Sequence, residues 1–164
     1  MREKLLDAAE KLVQDRGLNA VSFQDLADAV GLRKPSVFHH FPNKEVLARA
    51  LIERCQTKHG PAYAAVVESD STAPEKLRQL AQIFEKGLRE HRPCLIAALG
   101  AGINTLPEVA AEELSETAMA DAATGYFAML QGLQVLVRAG GNPDAFHAAA
   151  NTYIESVSAH RQPV

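Results

Sequence analysis

The chain has 164 residues, enough to bury a sizeable core in one compact domain or in a small domain joined to a larger one. Hydrophobic residues make up 47% of it and aromatic residues 5%, a balance that suits packed helices better than a sheet. No apolar run approaches the roughly 18 residues of a membrane span, and no signal-peptide pattern opens the chain. We therefore expect a cytoplasmic location and no membrane partner.

The net charge of −3 is divided unevenly along the chain. Residues 1–60 hold ten Lys and Arg against eight Asp and Glu, or +2, whereas residues 61–164 hold seven against twelve, or −5. So small a basic excess excludes a protein that holds nucleic acid mainly by nonspecific charge. A nucleic-acid binder of this composition would depend on a few phosphate contacts and on base readout.

Motifs that would point to an enzyme are missing. Cys55 and Cys94 lie far apart in the sequence without metal-type spacing, so neither a disulfide framework nor a zinc site is indicated. Cys94 has two interpretations, a sensor of oxidants or electrophiles and an inert small hydrophobe. There is no Gly-rich phosphate loop, no G-x-S-x-G and no His/Asp/Glu cluster at catalytic spacing. We expect no cofactor, no metal and no catalytic residues.

The first two predicted helices have clear local signals. Apolar residues recur at helical spacing over Leu5–Arg16, and Gly17 ends that helix. The next helix is predicted over Phe23–Val30, because the Ser22 hydroxyl can accept a backbone N–H and the Asp25 carboxylate lies near the positive helix end.

Three spaced residues predict a helix-turn-helix. Two helices that cross steeply need a small residue at their contact, a residue that tolerates positive φ in the turn, and an apolar residue that seats the second helix. Ala27, Gly31 and Val37 supply these in order, with the second helix over Lys34–His40. Polar side chains around this motif suit the major groove of DNA. The candidate DNA-binding residues are Ser22, Gln24, Arg33, Lys34, Pro35, Ser36, His39, His40 and Lys44.

A fourth helix begins at Lys44, capped by Asn43, and its start can place the Lys44 ammonium beside a phosphate. The helical pattern is lost at residues 59–61, His-Gly-Pro, which we take as the domain boundary. The predicted domains are therefore residues 1–58 and residues 59–164.

The second domain is predicted to be helical throughout, with no strand pattern. Helices are expected from Pro74 to about residue 90, from Pro93, from Ala118 to the stop at residues 140–141, and from Asn142 onward.

The segment LLDAAEKLVQDRGLNAVSFQDLADAVGLRKPSVFHHFPNKEVLARAL resembles the DNA-binding domain of the tetracycline-repressor (TetR) family of bacterial transcription regulators. The specific parts are D-A-A in the first helix, A-x-x-x-G in the turn and F-H-H-F-x-N-K before the fourth helix. Farther along, GLQVLVRAGGNPDAF resembles the entry to the last two helices of many members. Many members carry tyrosine where this chain has Phe38, so a phosphate hydrogen bond from that hydroxyl is absent here.

The resemblance implies an all-α fold, with a three-helix helix-turn-helix domain followed by a helical ligand-binding and dimerisation domain. It implies a homodimeric repressor that a small, largely apolar effector releases from a palindromic operator in double-stranded DNA. The implied effector-binding residues are Tyr63, Phe84, Leu88, Leu95, Leu99, Tyr126, Phe127 and Leu130. The expected dimer-interface residues are Leu133, Val137, Phe146, Tyr153 and Ile154.

Two other functions stay open at this point. One is an architectural DNA-binding protein without a ligand, and the less favoured one is an enzyme with a vestigial helix-turn-helix.

The chain also departs from the family pattern between Pro107 and Ala118, where about ten residues replace a long helix and loop. The alternatives are a shortened domain and residues absent from this sequence. We favour the second, because a single helix over residues 107–140 would span about 50 Å.

Overall fold

The structure is a computed structural model that describes residues 1–90, 92–100, 124–139 and 142–159. Within these ranges the chain forms eight α-helices, one short 3₁₀ helix at Leu18–Ala20 and no strand, which confirms the all-α prediction. The helices are α1 Arg2–Arg16, α2 Phe23–Val30, α3 Lys34–His40, α4 Lys44–Glu68, α5 Ala73–Arg89, α6 Leu95–Gly100, α7 Thr124–Arg138 and α8 Pro143–Ala159. The segment between Pro107 and Ala118 lies outside the described residues.

The chain divides into two compact units. The described residues of the N-terminal unit are 1–58 and 94–100, and the rest belong to the second unit. This differs from the predicted division, which put everything after residue 58 into the second domain. The reason is packing: Leu95, Ile96 and Leu99 of α6 are buried in the same core as α1.

The helix-turn-helix formed by α2, α3 and the turn between them, which we call the reading motif, has the predicted geometry. The Ser22 backbone N–H donates to Asp25 Oδ2 at 2.7 Å, and the Asp25 N–H donates to Ser22 Oγ at 3.1 Å, so a complete capping box starts α2. Gly31 ends α2 in the left-handed region at φ +68°, which a residue with a Cβ adopts only at a cost. The Leu32 N–H then donates to the Ala27 carbonyl at 2.8 Å, and α3 follows with the bounds that the spacing predicted.

The core of the N-terminal unit explains why this short motif is rigid. Val37 of α3 and Phe41 after it are fully buried, so one side of α3 is anchored to the helices beneath it. The other core residues are contributed by α1, α2, α4, α6, the short 3₁₀ helix and the connection after it: Leu5, Leu6, Ala9, Val13, Leu18, Val21, Phe23, Leu26, Ala27, Leu47, Ala48, Ala50, Leu51, Ile52, Leu95, Ile96 and Leu99. This packing leaves the opposite side of α3 available for other contacts.

The predicted helix break at residues 59–61 is wrong. Helix α4 continues through Pro61 to Glu68. Proline removes one backbone hydrogen bond, and the carbonyl four residues earlier belongs to Thr57, which is exposed. Farther along α4, Val66 is buried and the Tyr63 ring lies 6.2 Å from that of Phe84, centroid to centroid, so tertiary packing outweighs the local signal.

The second unit is built from the end of α4 and from α5, α7 and α8, with α5 and α8 in extensive contact. The Tyr126 hydroxyl of α7 donates to the Leu77 carbonyl of α5 at 2.7 Å, and burial raises the pKa of this hydroxyl to about 12. The buried apolar residues of this unit are Val66, Ala81, Phe84, Leu88, Tyr126, Leu130, Phe146, Ala150 and Ile154.

Candidate nucleic-acid interface

The first turn of α3 is exposed. Arg33, Lys34, Pro35 and Ser36 are all exposed, although Val37 beside them is fully buried. His39 is also exposed and His40 is half-buried, with their ring centroids 5.5 Å apart. No acidic residue lies in the first turn of α3, so its cations face outward without a local carboxylate.

Ser22 and Gln24 lie at the start of α2 and are exposed, yet both side chains are already engaged. The Ser22 hydroxyl donates to Asp25 Oδ2 at 2.6 Å, and its hydroxyl and backbone bonds hold the pKa of that carboxyl below 3.8. The Gln24 amide donates to Asp28 Oδ1 at 2.8 Å. These bonds orient the two side chains, and contacts from them to DNA stay predictions.

Lys44 has an intramolecular role that the sequence pattern did not indicate. Its Nζ donates to the Leu18 carbonyl at 3.1 Å and to the Asn19 carbonyl at 3.0 Å. An ammonium has three N–H donors, so one is left after these two bonds. Lys44 therefore ties the start of α4 to the 3₁₀ helix after α1, and its phosphate contact stays a prediction. The predicted cap is confirmed, since Asn43 Oδ1 accepts the Val46 N–H at 2.9 Å.

The sequence indicates Phe38 only as a departure from the family pattern, whereas the structure shows it 43% exposed on α3. Its ring meets that of Phe23 edge to face, with centroids 4.9 Å apart and an interplanar angle of 80°. The Lys34 ammonium lies 5.8 Å from the Phe38 centroid. The available signal was a second apolar residue directly after Val37, because adjacent helix residues point about 100° apart and cannot share one buried face.

A group of charges joins α1 to α4 behind the reading motif. Arg54 donates to Glu3 at 2.7 Å, to Glu10 at 3.0 Å and to Asp7, while Lys58 Nζ lies 3.1 Å from the second Glu10 oxygen. Burial alone would lower the pKa of Arg54, but the hydrogen bond to Glu10 and the charge of Asp7 hold it above its ordinary value. The guanidinium is therefore charged at any relevant pH, and α1 and α4 are held together.

The predicted effector-binding residues fall into two groups. Tyr63, Phe84, Leu88, Tyr126 and Leu130 belong to the second unit, and all but half-buried Tyr63 are buried there. Leu95 and Leu99 belong to the core of the N-terminal unit, where they pack with α1 residues. The Phe127 side chain lies outside what the structure describes.

One polar group in the second unit lacks the bonds that its burial demands. Both amide atoms of Gln131 on α7 are buried and have no hydrogen-bond partner among the residues that the structure describes. A buried amide without partners costs roughly 1–3 kcal/mol, so such groups often mark a site where something else binds. The sequence contained a weak signal, a glutamine within a largely apolar stretch of α7.

The predicted dimer residues also differ in their surroundings. Phe146 and Ile154 are buried within the single chain, whereas Leu133, Val137 and Tyr153 are half-buried. Among the described side chains of α7, the most exposed large apolar ones are two that the sequence did not indicate, Val135 and Leu136, each 65% exposed. Helix α7 therefore carries apolar side chains on an exposed side as well as on its buried side.

Neither cysteine is part of a disulfide, and each is half-buried against the core of the N-terminal unit. Burial, with smaller effects from Cys94 and Glu10, raises the pKa of the Cys55 thiol to about 12. Cys55 therefore carries almost no thiolate near neutral pH, and the thiolate is the reactive form.

The described residues include neither a membrane-spanning helix nor a cluster of metal ligands. None of the described helices has the length and apolar character needed to cross a membrane. Within the same ranges, no three His, Cys, Asp or Glu side chains lie where they could hold a metal ion together.

Residues 5–51 match the family described as "Bacterial regulatory proteins, tetR family". The HTH-type transcriptional repressor KstR2 of Mycobacterium tuberculosis (strain CDC 1551 / Oshkosh) is 29% identical over 90 residues, which are 55% of this chain and 45% of that protein. KstR2 of Rhodococcus jostii (strain RHA1) is 41% identical over 75 residues, 43% of this chain and 37% of that protein. The chain spans less than half the length of these curated relatives.

Solved structures extend the similarity to nearly the whole chain. A transcriptional regulator of the TetR family from Agrobacterium tumefaciens superposes with a TM-score of 0.83 at 23% identity, over 94% of this chain and 96% of that one. A TetR transcriptional regulator from Legionella pneumophila gives a TM-score of 0.78 at 23% identity, over 96% of each chain. At this level of identity the likeness is one of fold.

Proposed function

We propose that the chain is a DNA-binding repressor of transcription of the tetR family, the family that residues 5–51 match. In this proposal it acts as a homodimer on a palindromic operator, and a small, largely apolar effector releases it. It works by binding rather than by catalysis, in the cytoplasm where the operator lies.

The exposed first turn of α3 is the observation that carries the proposal. A recognition helix presents its N-terminal residues to base edges in the major groove, while its other side is anchored in the domain. Here Arg33, Lys34 and Ser36 are exposed and Val37 is fully buried one residue later. Arginine and lysine can donate to guanine O6 and N7 or to phosphate oxygens, and a serine hydroxyl can donate to the same acceptors.

Dimerisation is supported by the apolar surface of α7. Val135 and Leu136 are adjacent and largely exposed, which costs free energy in a monomer and is repaid when a partner covers them. Two copies of α3 on one face of DNA must lie about 34–36 Å apart, one helical turn, so a twofold dimer implies a palindromic operator.

The proposed effector site lies in the second unit. Support comes from the aromatic and aliphatic residues Phe84, Leu88 and Tyr126, a lining that suits an apolar molecule. The Gln131 amide, which has no hydrogen-bond partner among the described residues, would offer its NH₂ group as a donor and its oxygen as an acceptor to a carbonyl, hydroxyl or amide on that molecule. Such an effector releases DNA only to the extent that it binds the DNA-free conformation more tightly than the DNA-bound conformation.

The DNA-binding proposal is tested with duplexes selected from a random double-stranded library by the wild-type protein. Lys34→Ala should weaken binding to the selected duplex by roughly 1–3 kcal/mol, or reduce the salt slope by about one if the contact is to phosphate. Lys11→Ala is the matched control, because Lys11 is also an exposed helical lysine of the N-terminal unit. Equal effects of the two substitutions would exclude a specific role for α3, and failure to select any duplex would refute DNA binding.

The dimer proposal is tested by sedimentation velocity at micromolar concentration. Leu136→Asp should convert a wild-type dimer into a monomer that keeps its helical circular dichroism. Val67→Asp is the matched control, since Val67 is 52% exposed on α4. A monomeric wild type, or a dimer that tolerates Leu136→Asp, would contradict the proposed surface.

The effector proposal is tested with a library of apolar small molecules that each carry one carbonyl or hydroxyl group. Compounds that raise the unfolding temperature should also release the selected duplex, and Gln131→Leu should weaken both effects together. Compounds that bind without releasing DNA would contradict the regulatory role.

A further inference from the structure

Phe38 is the exposed large apolar side chain on the polar surface of α3. Its exposed fraction is 43%, and the exposed residues Lys34 and His39 lie on the same helix. The inward side of α3 is already filled by Val37 and by Phe41 after the helix, both fully buried. The outer part of the Phe38 ring therefore contributes nothing to that core, and leaving it in water is unfavourable.

The ring is also held in one orientation. Its contact with Phe23 is edge to face at 4.9 Å, and Phe23 itself is buried at the start of α2, directly after the capping box of Ser22. On the other side, the Lys34 ammonium lies 5.8 Å from the ring centroid, one helical turn earlier. Aromatic pairs of this geometry are favourable, so α2 and Lys34 together position the exposed part of the ring.

We propose that Phe38 is a specificity-determining residue that contacts the 5-methyl group of a thymine in the major groove. The inference rests on the proposed function, because it requires α3 to lie in that groove. A phenyl ring offers no hydrogen bond, and among the groups at the major-groove edges of the bases the thymine methyl is the apolar one. The fixed ring thus selects a thymine at one position of each half-site.

The position of Lys34 narrows where this thymine lies. Four residues of helix separate Lys34 from Phe38, which is about 6 Å along α3. The Lys34 ammonium and the Phe38 ring therefore contact neighbouring parts of the same half-site. We expect the thymine within two or three base pairs of the group that Lys34 contacts.

The test replaces thymine by uracil, which lacks the methyl group but pairs with adenine in the same way. The probe is the duplex selected by the wild-type protein, with each thymine replaced by deoxyuridine in turn, in both half-sites. At one thymine position, a single replacement should weaken wild-type binding about fourfold, the value for one buried methyl group. Replacing the symmetric pair should weaken it about fifteenfold. Phe38→Ala should bind the thymine and uracil duplexes equally.

Controls separate base reading from a structural role. The ratio of affinities for the two duplexes, measured on one preparation, does not depend on how much of the protein is folded. Phe38→Leu should keep part of the thymine preference, because its side chain is apolar, and Val67→Ala, an exposed apolar residue on α4, should keep all of it.

Three results would overturn the proposal in different ways. If no thymine position is sensitive to uracil in the wild type, the ring does not contact a methyl group. If Phe38→Ala weakens both duplexes equally but leaves the wild-type ratio intact, the ring contacts the sugar-phosphate backbone instead. If the wild type selects no duplex at all, the proposed function fails and this inference fails with it.

Discussion

The ion pairs of Arg54 allow a quantitative test of how α1 and α4 are held together. The substitution is Arg54→Met, which keeps a long apolar stem and removes the guanidinium. It deletes hydrogen bonds to Glu3, Asp7 and Glu10 at once. Because Glu3 and Asp7 side chains are 73% and 65% exposed, we expect each of these pairs to contribute about 0.5 kcal/mol.

The Glu10 pair should matter more. The Glu10 side chain is 11% exposed, and its hydrogen bond to Arg54 Nε is charge-assisted, a class worth about 1.5–3 kcal/mol. Lys58 stays beside the other Glu10 oxygen and offsets part of the loss. We therefore expect Arg54→Met to lower the free energy of unfolding of the N-terminal unit by about 2–3 kcal/mol, with Glu3→Gln costing less than about 1 kcal/mol.

The assay is urea unfolding followed by circular dichroism, because guanidinium chloride is itself a salt and would screen the ion pairs. At 1 M NaCl the two exposed pairs are screened while the half-buried Glu10 bond is affected less, so the difference should shrink by about 1 kcal/mol but not vanish. An Arg54→Met protein within about 0.5 kcal/mol of the wild type, or a Glu3→Gln variant equally damaged, would refute the reasoning.

Three other predictions follow from single groups. The Asp25 carboxylate accepts bonds from Ser22 that hold its pKa below 3.8, so its stabilising contribution is present at neutral pH and is lost as the pH falls through the folded value. An NMR titration should give a midpoint below 3.8 that rises in Ser22→Ala, and an unchanged midpoint would contradict the capping box. Tyr126→Phe deletes the bond to the Leu77 carbonyl and should cost about 1 kcal/mol in urea unfolding, whereas no cost would mean that this bond adds no net stability. Because burial raises the pKa of Cys55 to about 12, iodoacetamide at pH 8 should leave it unmodified in the native protein, as read by mass spectrometry; alkylation as fast as in urea would contradict its burial.

The reading motif could be predicted closely because its signals are local. The capping box of Ser22 and Asp25, the left-handed Gly31 and the buried Val37 each depend on residues a few positions apart. Propensity, capping and turn geometry act over that range, so α2 and α3 have the bounds that the spacing predicted. Helix α1 begins at Arg2, three residues before the predicted start at Leu5, because its first turn is charged and lacks the apolar period.

Partners distant in sequence could not be predicted. The pattern of Leu95 and Leu99 indicates burial, but periodicity does not say which core receives the buried face, and these residues pack with α1. The same limit explains the error at Pro61: one lost backbone bond is a local cost, and the burial of Val66 that offsets it depends on tertiary contacts. Phe38 is absent from the predicted DNA-binding residues because the sequence does not reveal how much of its ring Phe23 covers.

Lys44 and Arg54 together explain how the N-terminal unit could respond to an effector as one body. Lys44 bonds the carbonyls after α1, and Arg54, about 15 Å farther along α4, bonds carboxylates on α1 itself. Two attachments that far apart resist both sliding and rotation of α4 against α1. Since α3 is anchored in the same core by Val37, a force on α4 must move the whole N-terminal unit rather than bend it. In the proposed repressor, an effector would therefore change the separation of the two α3 helices in the dimer, and the base contacts within each half-site would keep their geometry.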